Sequence, residues 1–190
     1  MSEKFRNRNR IPSLRRPGWD YASEGAYFIT ICTQARIPHF GCIRNRQMIL
    51  SDAGLMAQST WQDIPNHFAF IKLDTFIIMP DHMHGILILQ KPDDLLANPD
   101  LSEKHNVYHE PIQIHYGGGI TGMKNPILHD NISRVIRWFK GKCTFEIRKI
   151  LPEFEWQRNF NDRIIRDDVE WNSIRRYIEE NPENWDDIFL

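Results

Sequence analysis

Two histidines, His82 and His84, stand one residue apart inside residues 75–90 (TFIIMPDHMHGILILQ), a run that is otherwise apolar and strand-like. Residues two apart on a strand point to the same face, so the two imidazoles can converge on one metal ion. Pro80 and Asp81 signal a turn just before them, which puts the pair at the start of a strand, open to ligand while the sheet holds its backbone. The plainer reading is two histidines on a half-buried strand, because histidine is intermediate in burial. A second set of candidates lies near the end of the chain. Tyr177 and Asn181 are four apart and share a helix face beside an apolar stripe of Trp171, Ile174 and Ile178. Alone, they read as a half-buried packing residue and a helix-ending Asn-Pro. Together with the histidines they make a chemical proposal: two imidazoles and an amide oxygen can hold a divalent cation with positions left open, and the phenol can reach a phosphate on the same ion. A phenol with a pKa of about 10 is a poor nucleophile until a cation stabilises the phenolate or the charge building on phosphorus.

The elements that must position these groups follow from periodicity and turn chemistry. Residues 26–33 (AYFITICT) are β-branched and aromatic and read as a strand. Residues 41–50 read as a short hairpin around Arg44, Asn45 and Arg46. Ser51 is the N-cap of a helix in which Ala53, Ala57, Trp61 and Ile64 recur at helical spacing until Pro65 stops it. Strands over 70–79 and 82–90 are joined at Pro80-Asp81. From 91 to 130 periodicity disappears, which predicts a long loop or insertion. Its GGGITG (117–122) fits a G-x-G-x-x-G pattern, but no helix begins there to bind a phosphate, so the match is rejected. Residues 131–150 are the clearest helix, with Ile132, Val135, Ile136, Phe139, Cys143, Ile147 and Ile150 in one stripe. Arg134, Arg137, Lys140, Lys142, Arg148 and Lys149 lie on or around the other side, as either a solvated face or a phosphate-contacting one. A strand over 155–165 and a helix over 168–181 complete an antiparallel sheet with helices packed on it.

Composition sets the remaining bounds. The 190 residues suffice for one domain with a real core. The formal net charge of -1 hides an uneven distribution: residues 1–19 carry Lys4, Arg6, Arg8, Arg10, Arg15 and Arg16 against Glu3 alone. A near-neutral chain can thus present a basic surface. Residues 1–24 are therefore expected to form a basic arm on a domain spanning 25–190. Cys32, Cys42 and Cys143 are odd in number and lack CxxC spacing, against both a disulfide framework and a thiolate zinc site, and in favour of a cytoplasmic location. No apolar run predicts a signal sequence or a membrane span.

In four segments the chain resembles the single-tyrosine transposases of the HUH endonuclease superfamily, which include insertion-sequence transposases and REP-associated tyrosine transposases. These are AYFITICTQ (26–34), MPDHMH (79–84), the helix ending in WFK (138–140), and residues 156–181 with their terminal Tyr-x-x-x-Asn-Pro. The resemblance covers nearly everything except 91–130, the main departure. It implies a ferredoxin-like α+β fold, the HUH endonuclease fold, with the histidines on a central strand and the tyrosine on a helix beside it. It further implies that His82 and His84 bind Mg²⁺ or Mn²⁺, with Asn181 as third ligand where some relatives carry Gln. Tyr177 would attack single-stranded DNA at hairpin or palindromic sequences, leaving a 5′-phosphotyrosine bond and a free 3′-OH. DNA contacts are expected from Arg6, Arg8, Arg10, Arg15 and Arg16 and from Arg134, Arg137, Lys140 and Lys142, in a monomer or homodimer.

Other enzyme classes fit poorly. A histidine-triad hydrolase needs a third alternating histidine where Ile86 stands, and a metallo-β-lactamase needs Asp and His within residues 85–89, which supply neither. Amidohydrolases place HxH in a much longer barrel. The rival of another class is a hairpin-binding protein that keeps the fold without cutting DNA. Trp185, Asp186 and Asp187 receive no role from sequence.

Overall fold

The computed structural model describes residues 23–90 and 131–185, together with two short paired strands, β1 (Lys4–Phe5) and β2 (Arg8–Asn9). The expected insertion at 91–130 and the side chains of Arg6, Arg8, Arg10, Arg15 and Arg16 lie outside the described residues.

At the centre of the sheet, β3 (Gly25–Cys32) runs antiparallel to β7 (His82–Leu89). The outer neighbour of β7 is β6 (Ile71–Ile78), and that of β3 is β8 (Asn161–Ile165), giving the all-antiparallel order β6-β7-β3-β8. Helices α1 (Asp52–Gln62), α2 (Ile64–His67) and α3 (Ile132–Ile147) cover one face of the sheet, and α4 (Asp168–Glu179) covers the other. The chain order β3-α1-β6-β7-α3-β8 is ferredoxin-like, with α4 appended and a hairpin, β4 (Gly41–Arg44) and β5 (Gln47–Leu50), inserted after β3. Asn45 and Arg46 close that hairpin with φ of 51° and 60°, the left-handed turn that matches strand twist.

Alternation along β3 explains the two layers. Tyr27, Ile29 and Ile31 point into the main core with Trp61, Phe139 and Met83, while Ala26 and Phe28 face α4 with Ile86, Ile174 and Ile178. Strand β7 is covered on both faces, which is why its sequence is apolar almost throughout, the histidines apart. The core side is drawn tight at Gly85, where a Cβ would stand 2.5 Å from Cζ2 of Trp61.

Four expectations are corrected. Pro65 does not end the helical region: α1 stops at Gln62, and Pro65 opens the short α2, where a first-turn residue needs no N–H partner. Ile150 lies beyond the C-cap Arg148 and is half-exposed, outside the stripe it was assigned to. The strand expected from 155 is confined to β8, with one isolated bridge from Trp156 to Thr33, because Trp156 is held in an aromatic cluster with Phe40, Phe139 and Phe154. The last helix ends at Glu179, so Asn181 sits in the turn beyond it rather than on the helix face of Tyr177.

Candidate active site

His82 and His84 enter β7 opposite Cys32 and Thr30 of β3, on the face covered by α4. Each is only 5% exposed, and their Nε2 atoms stand 3.1 Å apart. The far side of each ring is held. Nδ1–H of His82 donates to Oδ1 of Asp81 at 2.6 Å, and Oδ2 of Asp81 is in turn paired with Nε of Arg36 at 2.9 Å. Nδ1 of His84 is 2.9 Å from the Thr30 hydroxyl, a group that both donates and accepts. When Thr30 accepts from Nδ1–H, both Nε2 lone pairs point into the 3.1 Å gap, an arrangement that calls for a shared cation. That separation matches the edge of an octahedron with bonds of about 2.1 Å. Burial, reinforced by the charges of His82 and Arg36, pushes His84 down to about 3, so its ring is neutral and able to donate a lone pair at neutral pH. The histidine pair and its supports therefore fit a divalent cation. Among the described residues no cluster of three His, Cys, Asp or Glu groups of metal-holding shape occurs.

Tyr177 is brought to the pair by α4, the helix that covers this face, 93 residues away in sequence. Its Oη is 3.4 Å from Nε2 of His84, and its ring meets those of His84 and Phe28 edge-on at 5.2 and 6.1 Å. Tyr177 as a whole keeps 51% of its surface exposed. Asn181 is half-buried in the following turn, with its N–H on the Ile178 carbonyl at 3.4 Å, and no hydrogen bond joins its side chain to either imidazole. Helix α4 is pinned by Asp74, which accepts from Nε and an Nη of Arg175 and from the Trp171 indole, at 2.8, 3.0 and 2.5 Å. Burial would raise Asp74, but these bonds and the Arg175 charge hold it below the usual carboxylate range.

Several of these groups escaped sequence reading. Asp81 was visible only as a turn residue, although a carboxylate next to a candidate ligand was a signal. Thr30 depends on the β3–β7 register. Arg36 reaches Asp81 from a turn in which Ala35 and Arg36 both have positive φ, 53° and 59°, which composition does not announce. Trp185 stacks on His82, with ring centroids 5.8 Å apart.

The basic face of α3 divides. Arg137 is exposed and has no side-chain partner among the described residues. Arg134 lies over the Phe68 ring at 5.7 Å, and Lys142 pairs with Glu146 at 3.5 Å. Nζ of Lys140 donates to the Gln157 carbonyl at 2.5 Å and more weakly to that of Arg158, and burial pushes it down to about 8. These bonds tie α3 to the segment before β8. Arg137, Arg148 and Arg158 line one open cleft of about 740 Å³ between α3 and that segment.

No known family model matches the chain. Over 175 residues it is 35% identical to a Haemophilus influenzae protein described only as uncharacterized, covering 92% of this chain and 89% of that one. The two proteins belong to one family. The structure of a REP-associated tyrosine transposase bound to a REP hairpin is similar with a TM-score of 0.54 at 17% identity, over 93% of this chain and 76% of that chain. A candidate transposase from Deinococcus radiodurans R1 overlaps less well, at a TM-score of 0.44 and 13% identity, over 87% of this chain and 96% of that one. The first of these structures shows the fold: a mixed α/β domain with an antiparallel sheet and packed helices. Among the described residues no helix is long and apolar enough to cross a membrane.

Proposed function

We propose that this protein is a single-tyrosine HUH transposase, a metal-dependent endonuclease that cuts and rejoins single-stranded DNA at hairpin or palindromic sequences. The observation that supports this most directly is the Tyr177 hydroxyl 3.4 Å from Nε2 of His84, in a site where the two imidazoles face one gap. The transposase of like fold was solved with a REP hairpin, which favours a hairpin as the nucleic-acid partner. His82 and His84 would hold Mg²⁺ or Mn²⁺, with Asn181 as a third donor if its amide turns toward them. Such an ion supplies Lewis-acid stabilisation of the charge that builds on the phosphate. Tyr177 supplies the nucleophile: its oxygen forms a bond to phosphorus as the bond from phosphorus to the 3′ oxygen breaks, the phenolic proton is lost, and the leaving oxygen is protonated to a 3′-OH. Asp81 and Thr30 keep the imidazoles oriented, while Arg137 and Arg158 bind the phosphate backbone.

The reaction should leave a protein–DNA adduct that survives denaturing electrophoresis when a hairpin oligonucleotide is mixed with protein and Mn²⁺ or Mg²⁺. Tyr177→Phe keeps the ring packing and should lose both adduct and strand cleavage while still binding the hairpin. Asn181→Ala should leave a slow reaction, because a metal loses one neutral ligand more easily than a nucleophile is replaced. Tight hairpin binding by the wild type without an adduct in either metal would establish the non-cutting reading instead.

A further inference from the structure

On the histidine face of the sheet a polar slot of about 310 Å³ opens between the end of β3 and the segment leading into β8. One wall is Thr30 and Cys32, the register partners of His84 and His82, so slot and candidate site share a boundary. The other surfaces carry four primary amides, Gln34, Gln157, Asn159 and Asn161. Residues far apart in sequence are gathered there by the backbone: Gln34 N–H bonds the Glu155 carbonyl at 2.8 Å, Gln157 N–H bonds the Cys32 carbonyl at 2.9 Å, and Asn161 pairs with Thr30 in the sheet. Among the described residues, none of the four amide groups has a hydrogen-bond partner, and no carboxylate lines the slot. Phe160 lies in the same lining, packed against the main core, and Gln157 and Arg158 line both this slot and the basic cleft beside α3.

A phosphate asks for cations, which the cleft supplies. Paired donor and acceptor groups on a primary amide instead match the edge of a nucleobase, which presents both in fixed geometry. The volume is near the lower bound of small-ligand sites and excludes a duplex. We propose that this slot reads one unpaired nucleobase of the strand entering the site, next to the phosphate that Tyr177 attacks. The proposal rests on the DNA-cutting reading above and assigns the sequence preference of that reaction to Gln34, Gln157, Asn159 and Asn161.

The test uses the full chain and a pool of DNA hairpins bearing a short single-stranded flank of randomised sequence, bound in the presence of a chelator so that no cleavage intervenes. Wild-type protein should enrich one base at one flank position, and an abasic site there should weaken binding about tenfold. The exposed-site variant Asn159→Ala/Asn161→Ala should bind the preferred and abasic flanks equally, at the weaker level, and each single variant should show part of that loss. Hairpin binding without any preference in the flank, alongside intact adduct formation, would overturn the slot and leave the nuclease reading standing. Loss of binding to preferred and abasic flanks alike in the variant would mean a phosphate contact, which also overturns it. Wild-type protein that neither binds hairpins nor forms an adduct would remove the nuclease reading and the slot together.

Discussion

Neutral, oriented imidazoles are what a cation needs, and Thr30 and Asp81 supply the orientation. Thr30→Val removes only the hydroxyl that steadies His84, so Mn²⁺ affinity measured by calorimetry should fall ten- to a hundredfold with little change in the fold. Unchanged affinity would mean that Thr30 does not set the His84 tautomer. The depressed pKa of His84 has its own signature in metal-free protein. Its folded value is about 3 against an ordinary 6.5, so between those pH values the unfolded chain holds a proton that the folded chain refuses. Stability contributed by the neutral ring is therefore fully present above pH 6.5 and is lost as pH falls, by up to about 1.4 kcal/mol per pH unit. Urea unfolding between pH 7 and 4 should show a steeper decline for wild type than for His84→Gln, whose side chain does not titrate. Parallel declines would place the pH sensitivity elsewhere.

Helix α4 carries the candidate nucleophile, and its placement depends on a defect in the neighbouring strand. Between Leu73 and Phe76 the pairing of β6 with β7 slips, and Asp74 in that irregularity reaches Arg175 and Trp171. Arg175 is two residues before Tyr177, so the clamp fixes the turn of helix from which the phenol projects. Asp74→Ala should cost modest stability, about 1 kcal/mol for a partly exposed pair. It should slow adduct formation ten- to a hundredfold, because small displacements of a reacting atom are expensive. Hairpin affinity should hold. A matching loss of affinity would show that the clamp supports the DNA surface rather than the tyrosine. On the core side, Gly85→Ala drives a methyl group into Trp61 and should destabilise by about 1–3 kcal/mol, read as a lower midpoint in denaturant.

A chain with a formal net charge of -1 still exposes a directional basic surface, since Arg137, Arg148 and Arg158 share one cleft. Arg148 is already committed to the Phe154 carbonyl and to Glu155, which leaves Arg137 and Arg158 as the residues most available to phosphates. Replacing both by Ala should weaken hairpin binding about equally for every sequence and reduce the slope of log K against log salt by about 0.7–0.9 per lost contact. An unchanged slope would return them to a solvated surface. The same measurement on Lys142→Ala should show a smaller change, because Lys142 pairs with Glu146, a carboxylate it shares with Lys149, and lies outside the cleft lining.

Strand β7, the α3 stripe through Ile147 and the Ser51 N-cap were legible because each is a repeat or a local hydrogen bond within a few residues, and local periodicity is written directly in the chain. The histidine pair was legible for the same reason, as an alternation of period two. Tyr177 could be nominated from its spacing to Asn-Pro, but its approach to His84 is a property of α4 packing on the sheet face that carries the histidines. Sequence alone could not foresee the partners of Lys140, the carbonyls of Gln157 and Arg158, which come from a segment that only folding brings close. Asn181 shows the reverse limit: the four-residue spacing to Tyr177 was read as a shared helix face, and the helix ended first. Register, helix termination and the packing of distant segments belong to the tertiary structure, because each depends on free energies summed over contacts between residues that are not neighbours in the chain.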